Sequence, residues 1–267
     1  MISVLQLGTQ DYLTALALQR KLVDLRKANQ IGDVLLLLEH PPVITLGRNG
    51  QSANILASPE LLAQRGVEVI ECDRGGDVTF HGPGQIVGYP IFDLRAFTTP
   101  EGERKTLGAI EFVRKMEEVL IRTCADFRIP ASRIPKLTGV WTSPGTADIA
   151  PADIAPAKIA AIGIHISRAV TSHGFALNVN TDLSFFDLII PCGLTAKPVT
   201  SIQRETGVPS SLDRVAESIS RHFGHVFHRQ MLWLESLDAL LGNTLGVPAR
   251  PPANLRKLRG EDETFRA

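Results

Sequence analysis

Cys192 stands between Pro191 and Gly193, directly after the apolar pair Ile189-Ile190 and outside any helical stripe. Proline offers no N–H and glycine leaves space beside the sulfur, which suits a thiol exposed at a cleft. A buried, inert thiol is the other common state of a lone cysteine, and both readings fit the residues. A nucleophilic thiol needs a cation or an acid–base group within hydrogen-bond reach to favour the thiolate. The candidates are Lys158, His81, His165 and His173. Lys158 opens the run KIAAIGIHI on its apolar side, where a lysine must snorkel outward or find a partner. Cys72 adjoins Arg74 but falls on a strand, and Cys124 falls on a helical stripe, so packing accounts for both.

A second group of residues could hold a ligand. The stretch from Asp73 to Leu94, DRGGDVTFHGPGQIVGYPIFDL, sets Gly75, Gly76, Gly82 and Gly84 among Arg74, Asp77, Thr79, His81 and Gln85. Strand-like residues flank it on both sides. A plain hairpin needs one turn glycine, so four suggest a loop that presents bare amides to a bound group. In KIAAIGIHI, residues 160, 162, 164 and 166 are apolar on one face, while Ala161 and Gly163 make the other face small enough for a ligand to lie against the backbone.

The elements that position these residues follow from periodicity. Residues 2–7 read as a strand, and Thr9 caps a helix from about 10 to 28 with Ala15, Leu18, Leu22 and Leu25 on its apolar face. Residues 34–38 and 43–46 read as strands broken by Pro41-Pro42, and Ser58-Pro59 starts a short helix to about 64. A long helix covers 107–127, with Ile110, Val113, Met116, Leu120, Cys124 and Phe127 on one face. Strands follow at 139–141, 158–166 and 174–180, then a helical turn at 184–188. Between the first two lies an insertion, 143–157, with Ala-Asp-Ile-Ala-Pro repeated at 147–151 and 152–156. Ser210 and Asp213 form a capping box for a helix to about 223, and 231–241 reads as a further amphipathic helix before a Pro- and Arg-rich tail. Strand runs separated by long helices indicate an α+β (mixed α/β) fold with a largely antiparallel sheet. One catalytic domain over 1–228 and a C-terminal helical extension over 229–267 are expected.

The totals narrow the function classes. Lys and Arg balance Asp and Glu at 28 each, so neither bulk nucleic-acid binding nor an anionic membrane surface is indicated. The N-terminal residues do not read as a signal peptide, and no apolar run is long enough to span a membrane. Three dispersed cysteines without C-x-x-C argue against a disulfide scaffold or structural zinc and for a reducing cytoplasm. His222, His225 and His228 are spaced for a metal, but Gly224 falls among them and no carboxylate follows. A surface helix end is the expectation, with no metal.

RGGDVTFHGPGQIVGYPIFDL, KIAAIGIHI, GFALNVNTDL and IIPCG, with EHPPVITLGR earlier, resemble the lipoyl(octanoyl) transferases in sequence and order. The resemblance implies the fold of biotin and lipoate protein ligases. It also implies transfer of an octanoyl or lipoyl group from octanoyl-acyl carrier protein to a lysine of lipoyl domains, in 2-oxoacid dehydrogenase E2 subunits and the glycine cleavage H protein, without a cofactor. It places the acyl-thioester cysteine on Cys192 and the lysine that tunes it on Lys158. The acyl-binding stretches fall on Arg74, Gly75, Gly76, Asp77, Val78, Thr79, Phe80 and His81, on Ala161, Ile162 and Gly163, and on Gly174, Phe175 and Ala176. The chain departs from the family where Phe80 replaces a common tyrosine, in the long insertion before Lys158, and in the segment after about residue 228. Three rival readings remain: an ATP-dependent ligase of the same fold, a Cys–His acyl hydrolase using His81 or His173, and a non-enzymatic acyl-protein binding module.

Overall fold

A computed structural model describes residues 1–97, 106–142, 155–190 and 198–241. In chain order its elements are β1 (Ile2–Thr9), α1 (Tyr12–Lys27), β2 (Asp33–Glu39), β3 (Val43–Leu46), α2 (Pro59–Gln64), β4 (Glu68–Glu71), β5 (Val78–His81), β6 (Gln85–Ile91), α3 (Ala109–Asp126), β7 (Ala131–Ile134), β8 (Leu137–Thr142), β9 (Lys158–Ser167), β10 (Val170–Asn178), α4 (Ile202–Thr206), α5 (Leu212–Phe227), β11 (Met231–Trp233) and α6 (Asp238–Leu241).

The apolar run of β2 is buried on both faces, as expected for a central strand. It lies in a sheet of order β11-β1-β2-β6-β10-β9-β8-β7. The β11–β1 and β1–β2 pairs are parallel, and every other pair in this sheet is antiparallel. One face packs Leu35, Leu37, Phe175 and Leu177 against Met116, Leu120, Ile219 and Phe223 of α3 and α5. The other packs Leu36, Leu38, Val87, Tyr89 and Ala176 against Ala15, Leu18 and Leu22 of α1. The fold is therefore α+β, a largely antiparallel sheet with flanking helices.

A second sheet, β4-β3-β5, stands apart. Val43 pairs with His81 and Thr45 with Thr79, while Ile44 pairs with Phe80 and Leu46 with Val78. The second pair of rows packs into its own apolar cluster with Leu62, Val67, Leu188 and Ile189. That leaves the Thr79–His81 side facing the large sheet.

Several local expectations change. Asp11, not Thr9, caps α1, and Ser211, not Ser210, caps α5. Ile110 is 80% exposed, because it stands two residues, about 200° around the helix, from the fully buried Phe112. The glycine-rich stretch is two turns around a short strand, β5, not one turn between two strands. Residues 231–241 are not one amphipathic helix: Met231–Trp233 adds an edge strand beside Ile2–Val4, and only Asp238–Leu241 is helical. Three residues of alternating burial fit a strand edge as well as a helix face, and pairing with β1 decides between them. The repeats at 147–156 and the tail from 242 lie outside the described residues. No described helix is long and apolar enough to cross a membrane.

Candidate active site

Between the two sheets lies a cavity of about 470 Å³, counting the space at its open side. Its floor is the middle of the large sheet. Ala161 pairs with Ala176, which pairs with Val87, and Gly163 pairs with Gly174. The methyl-sized Ala161 and Ala176 thus leave a trough over β9 and β10, bordered by the bare backbone of Gly163 and Gly174, where Gly75 O and Gly88 O come close. Thr79, His81 and the 74–76 loop form the roof, and Tyr12, Tyr89 and His173 complete the lining.

The loop is held by backbone. Arg48 N donates to Arg74 O, Asn49 N to Gly76 O, and Gly75 N to Ile164 O on β9 at 2.9 Å. Gly76 has φ +91°, a conformation that side-chain-bearing residues rarely adopt. A Cβ on Gly163 would lie 2.5 Å from Gly75 O, so glycine there admits the crossing loop itself. Arg74 is buried, and its guanidinium donates to Thr45 O, Thr45 Oγ1 and Gly75 O. Asp77 turns away and accepts from Gln51 N and Asn54 Nδ2.

Two buried histidines have their tautomers set by acceptor-only neighbours. Gln85 Nε2 donates to Phe80 O and Asn178 Oδ1, so its Oε1 faces His81 and Nδ1 of His81 carries the hydrogen. Burial lowers the His81 pKa to about 3. His40 Nδ1 donates to Gln10 O, burial lowers its pKa to about 4, and Nε2 therefore accepts from the Tyr89 hydroxyl at 2.7 Å. Burial raises the pKa of both Tyr12 and Tyr89. His173 has φ +55° and bonds Asp73 at 2.8 Å. Burial lowers its pKa, and its hydrogen bond, opposing burial, holds the Asp73 carboxyl low. The pair is a carboxylate accepting from a neutral ring.

Lys158 is buried at the edge of this cavity. It lines a smaller hollow of about 310 Å³ that shares Thr79, Ala161 and Ala176 with the main cavity. It also lines an open groove that shares Gly75, Gly76, Ile162 and Gly163. A register shift puts it there: Val140 pairs with Ala160 but Trp141 with Lys158. Such irregularities re-aim side chains beside functional sites. Its Nζ lies over the Trp141 ring. Its backbone is paired with the incoming chain, since Lys158 N donates to Pro198 O and Thr200 N to Lys158 O. A buried relay links this pairing to the roof: His81 to Gln85, Gln85 to Asn178, and Asn178 Nδ2 to Thr200 O.

Cys192 lies outside the described residues. The described chain ends beside it at Ile190, whose N–H donates to Asn54 O, and resumes at Pro198 against Lys158. Of the stretches expected to bind the acyl group, Arg74, Gly75, Gly76, Thr79, His81, Ala161, Ile162, Gly163, Gly174, Phe175 and Ala176 meet at the cavity. Val78 and Phe80 face the other way, and Phe80 stacks on Phe185 at 4.7 Å. His165 sits outside the cavity, beside Asp73 and against Arg48. His222 bonds Asp126 on α3, and His228 ends α5. No group of three or more His, Cys, Asp or Glu among the described residues is placed to hold a metal. Cys124 is core, its thiol pushed up to about 12 by burial.

The sequence reading missed Tyr12, Tyr89, His40, Trp141 and Asn178. Tyr89 and Asn178 lay inside quoted motifs, where strand alternation with Val87 and Ala176 could have aimed them at the trough.

Comparison with known proteins gives the family. The profile of the lipoyl protein ligase A/B catalytic domain matches residues 11–224. The chain is 59% identical to an octanoyltransferase of Koribacter versatilis over 98% of both chains. It is 56% identical to one of Acidobacterium capsulatum, covering 90% of this chain and 96% of that one. Among solved structures, a lipoate-protein ligase A bound with ATP superposes with a TM-score of 0.63 at 16% identity, covering 87% and 88% of the two chains. The archaeal bipartite lipoate protein ligase of Thermoplasma acidophilum gives 0.59 at 15% identity, covering 87% and 86%. These two show the fold alone; the sequence relatives show the activity. The chain belongs to the octanoyltransferases of the lipoyl protein ligase A/B catalytic-domain family, acyltransferases that move an octanoyl group.

Proposed function

We propose that octanoyl transfer runs through a thioester on Cys192, with Lys158 as its acid–base partner. The octanoyl chain lies in the trough over Ala161, Gly163, Gly174 and Ala176. The thiolate of Cys192 attacks the carbonyl of octanoyl-acyl carrier protein. The new S–C bond forms, the carrier's C–S bond breaks, and Lys158 gives the departing thiolate its proton. The acceptor lysine of a lipoyl domain then attacks. Neutral Lys158 takes a proton from that amine, the amide C–N bond forms, and Cys192 is released as thiolate. The exchange of one thioester for another needs no ATP. Lipoyl domains of 2-oxoacid dehydrogenases and of the glycine cleavage system are the acceptors in this reading, and the reaction belongs to the cytoplasm.

One observation carries the reading. Lys158 sits where the small-residue trough meets an open groove, and its backbone pairs with Pro198 and Thr200, which follow the Cys192 segment. Lys158 and the chain at Pro198 and Thr200, the first described residues after Cys192 in sequence, thereby meet at one end of the cavity.

Intact-protein mass after mixing with octanoyl carrier protein, without acceptor or ATP, should rise by one octanoyl group mapped to Cys192. Cys192→Ser should give neither stable adduct nor appreciable transfer. An adduct on Cys72 or Cys124, or transfer that requires ATP and free octanoate, would overturn the proposal.

A further inference from the structure

The floor of the trough is graded in size. Along one row it runs Ala161, Ala176, Val87, Leu38; along the next, Gly163 pairs with Gly174, and Tyr89 pairs with Leu36. Small residues on β9 and β10 thus give way to large ones on β6 and β2. Lys158 shares its hollow with Gln85 and Asn178, which are paired one row before Ala176. Two-residue steps along a strand are about 6.6 Å, so the Gly174 row lies roughly 13 Å from the Asn178 row. An extended eight-carbon acyl chain is about 9 Å from carbonyl carbon to methyl, given C–C bonds of about 1.5 Å. Its tail therefore arrives beside the Tyr89 ring.

That ring is braced. Tyr89 is 3% exposed, and its hydroxyl is tied to His40, which is fully buried and tied in turn to Gln10 O. Gln10 N bonds Glu39 O on β2. The chain of bonds ends on main chain, so the ring cannot swing aside without breaking buried hydrogen bonds. His173 meets Tyr89 edge-on at 6.4 Å and is itself held by Asp73 and by Gln19, whose Oε1 accepts from His173 N.

We propose that Tyr89, braced by His40, is the specificity-determining residue that closes the acyl trough and restricts the substrate to medium-chain acyl groups of about eight carbons. The proposal rests on the trough being the acyl site, as in the function proposed above. It adds which side chain reads the tail. Chains two carbons longer meet the ring; shorter ones leave apolar floor uncovered.

The test measures kcat/KM of the full-length protein for hexanoyl, octanoyl and decanoyl carrier protein, read as amide product on a lipoyl domain. Wild type should prefer octanoyl. Tyr89→Ala should raise the decanoyl-to-octanoyl ratio roughly tenfold, since each buried methylene is worth about a fourfold change in binding. Tyr89→Leu, which keeps more of the core filled, should move the ratio the same way by less. Ala176→Leu, which fills the middle row, should shift preference towards hexanoyl. An unchanged decanoyl-to-octanoyl ratio in folded Tyr89→Leu overturns the proposal, whether or not Tyr89→Ala folds. The readout is independent of the thioester: if Cys192 carries no adduct but the ratios shift, the mechanism fails and the ruler stands.

Discussion

The Nζ of Lys158 lies 4.8 Å from the centre of the Trp141 ring. Trp141 is fully buried on β8, and the register shift that pairs it with Lys158 brings the two together. Gly139, two residues earlier, has φ +122°, and a Cβ there would stand 3.5 Å from Lys158 Cε. Strand β8 therefore shapes the seat of the lysine from beneath, while Pro198 and Thr200 hold its backbone.

Trp141→Leu should lower kcat and leave KM for the octanoyl donor within about twofold. A cation–π contact is worth about 0.5–2 kcal/mol, so the loss should be roughly 2- to 30-fold. Trp141→Phe keeps an aromatic face and should recover much of it. Steady-state kinetics on the folded variants check this; a Leu variant with wild-type kcat would show that the ring only fills space.

Gly163→Val should reduce transfer by about 100-fold, the scale of a 1 Å misplacement at a reacting centre. The added side chain would meet Gly75 O and push the loop from β9, breaking the Gly75 N to Ile164 O bond. Gly76→Val should act in the same direction because of its φ of +91°. Circular dichroism would confirm that both fold, and wild-type turnover in either would contradict the account.

What was legible in the sequence follows from which interactions are local. Strand alternation placed Ala161 and Gly163 on one face, and continuous apolarity identified β2 as central. Glycine density marked the 74–84 segment as special. The reason for Gly163 was read differently, because a crossing loop and a bound ligand ask for the same small residue. His40, Tyr89 and Trp141 act through partners 30 to 49 residues away in the first two cases and across a register shift in the third. No local pattern encodes such pairings. Met231–Trp233 was read as helix because a three-residue edge strand has too few positions to show its period.

Glu117→Ala should destabilise the protein by about 1–3 kcal/mol, the cost of leaving buried donors unsatisfied. Glu117 is fully buried and accepts from Arg114, Arg133 and Gly139 N. The Arg114 and Arg133 side chains remain 46% and 33% exposed, so water rescues part of the loss and the effect stays below that of a sealed ion pair. Glu117→Gln keeps an acceptor for Gly139 N and should lose less. Urea unfolding reads both, and equal stability of Glu117→Ala and wild type would refute the prediction.

Acid should weaken the fold well before the carboxylates titrate. Burial lowers His40 to about 4 and His81 to about 3, against 6.5 for an unperturbed imidazole. Between pH 6.5 and about 4 the unfolded chain therefore binds protons at both positions that the folded protein does not. Stability rises with pH wherever the unfolded state binds more protons. It should be full above about pH 6.5 and decline as pH falls through that window, by up to about 1.4 kcal/mol per pH unit for each histidine. His40→Gln offers the same two partners, an N–H for Gln10 O and an acceptor for the Tyr89 hydroxyl, without a titrating ring. Its melting temperature should fall less steeply between pH 6.5 and 5 than that of wild type, because the proton that His40 takes up on unfolding is gone. Thermal melts across that range measure the two slopes. Equal slopes would mean that His40 charges without cost, and that the brace behind Tyr89 is not the neutral hydrogen-bonded strut described here.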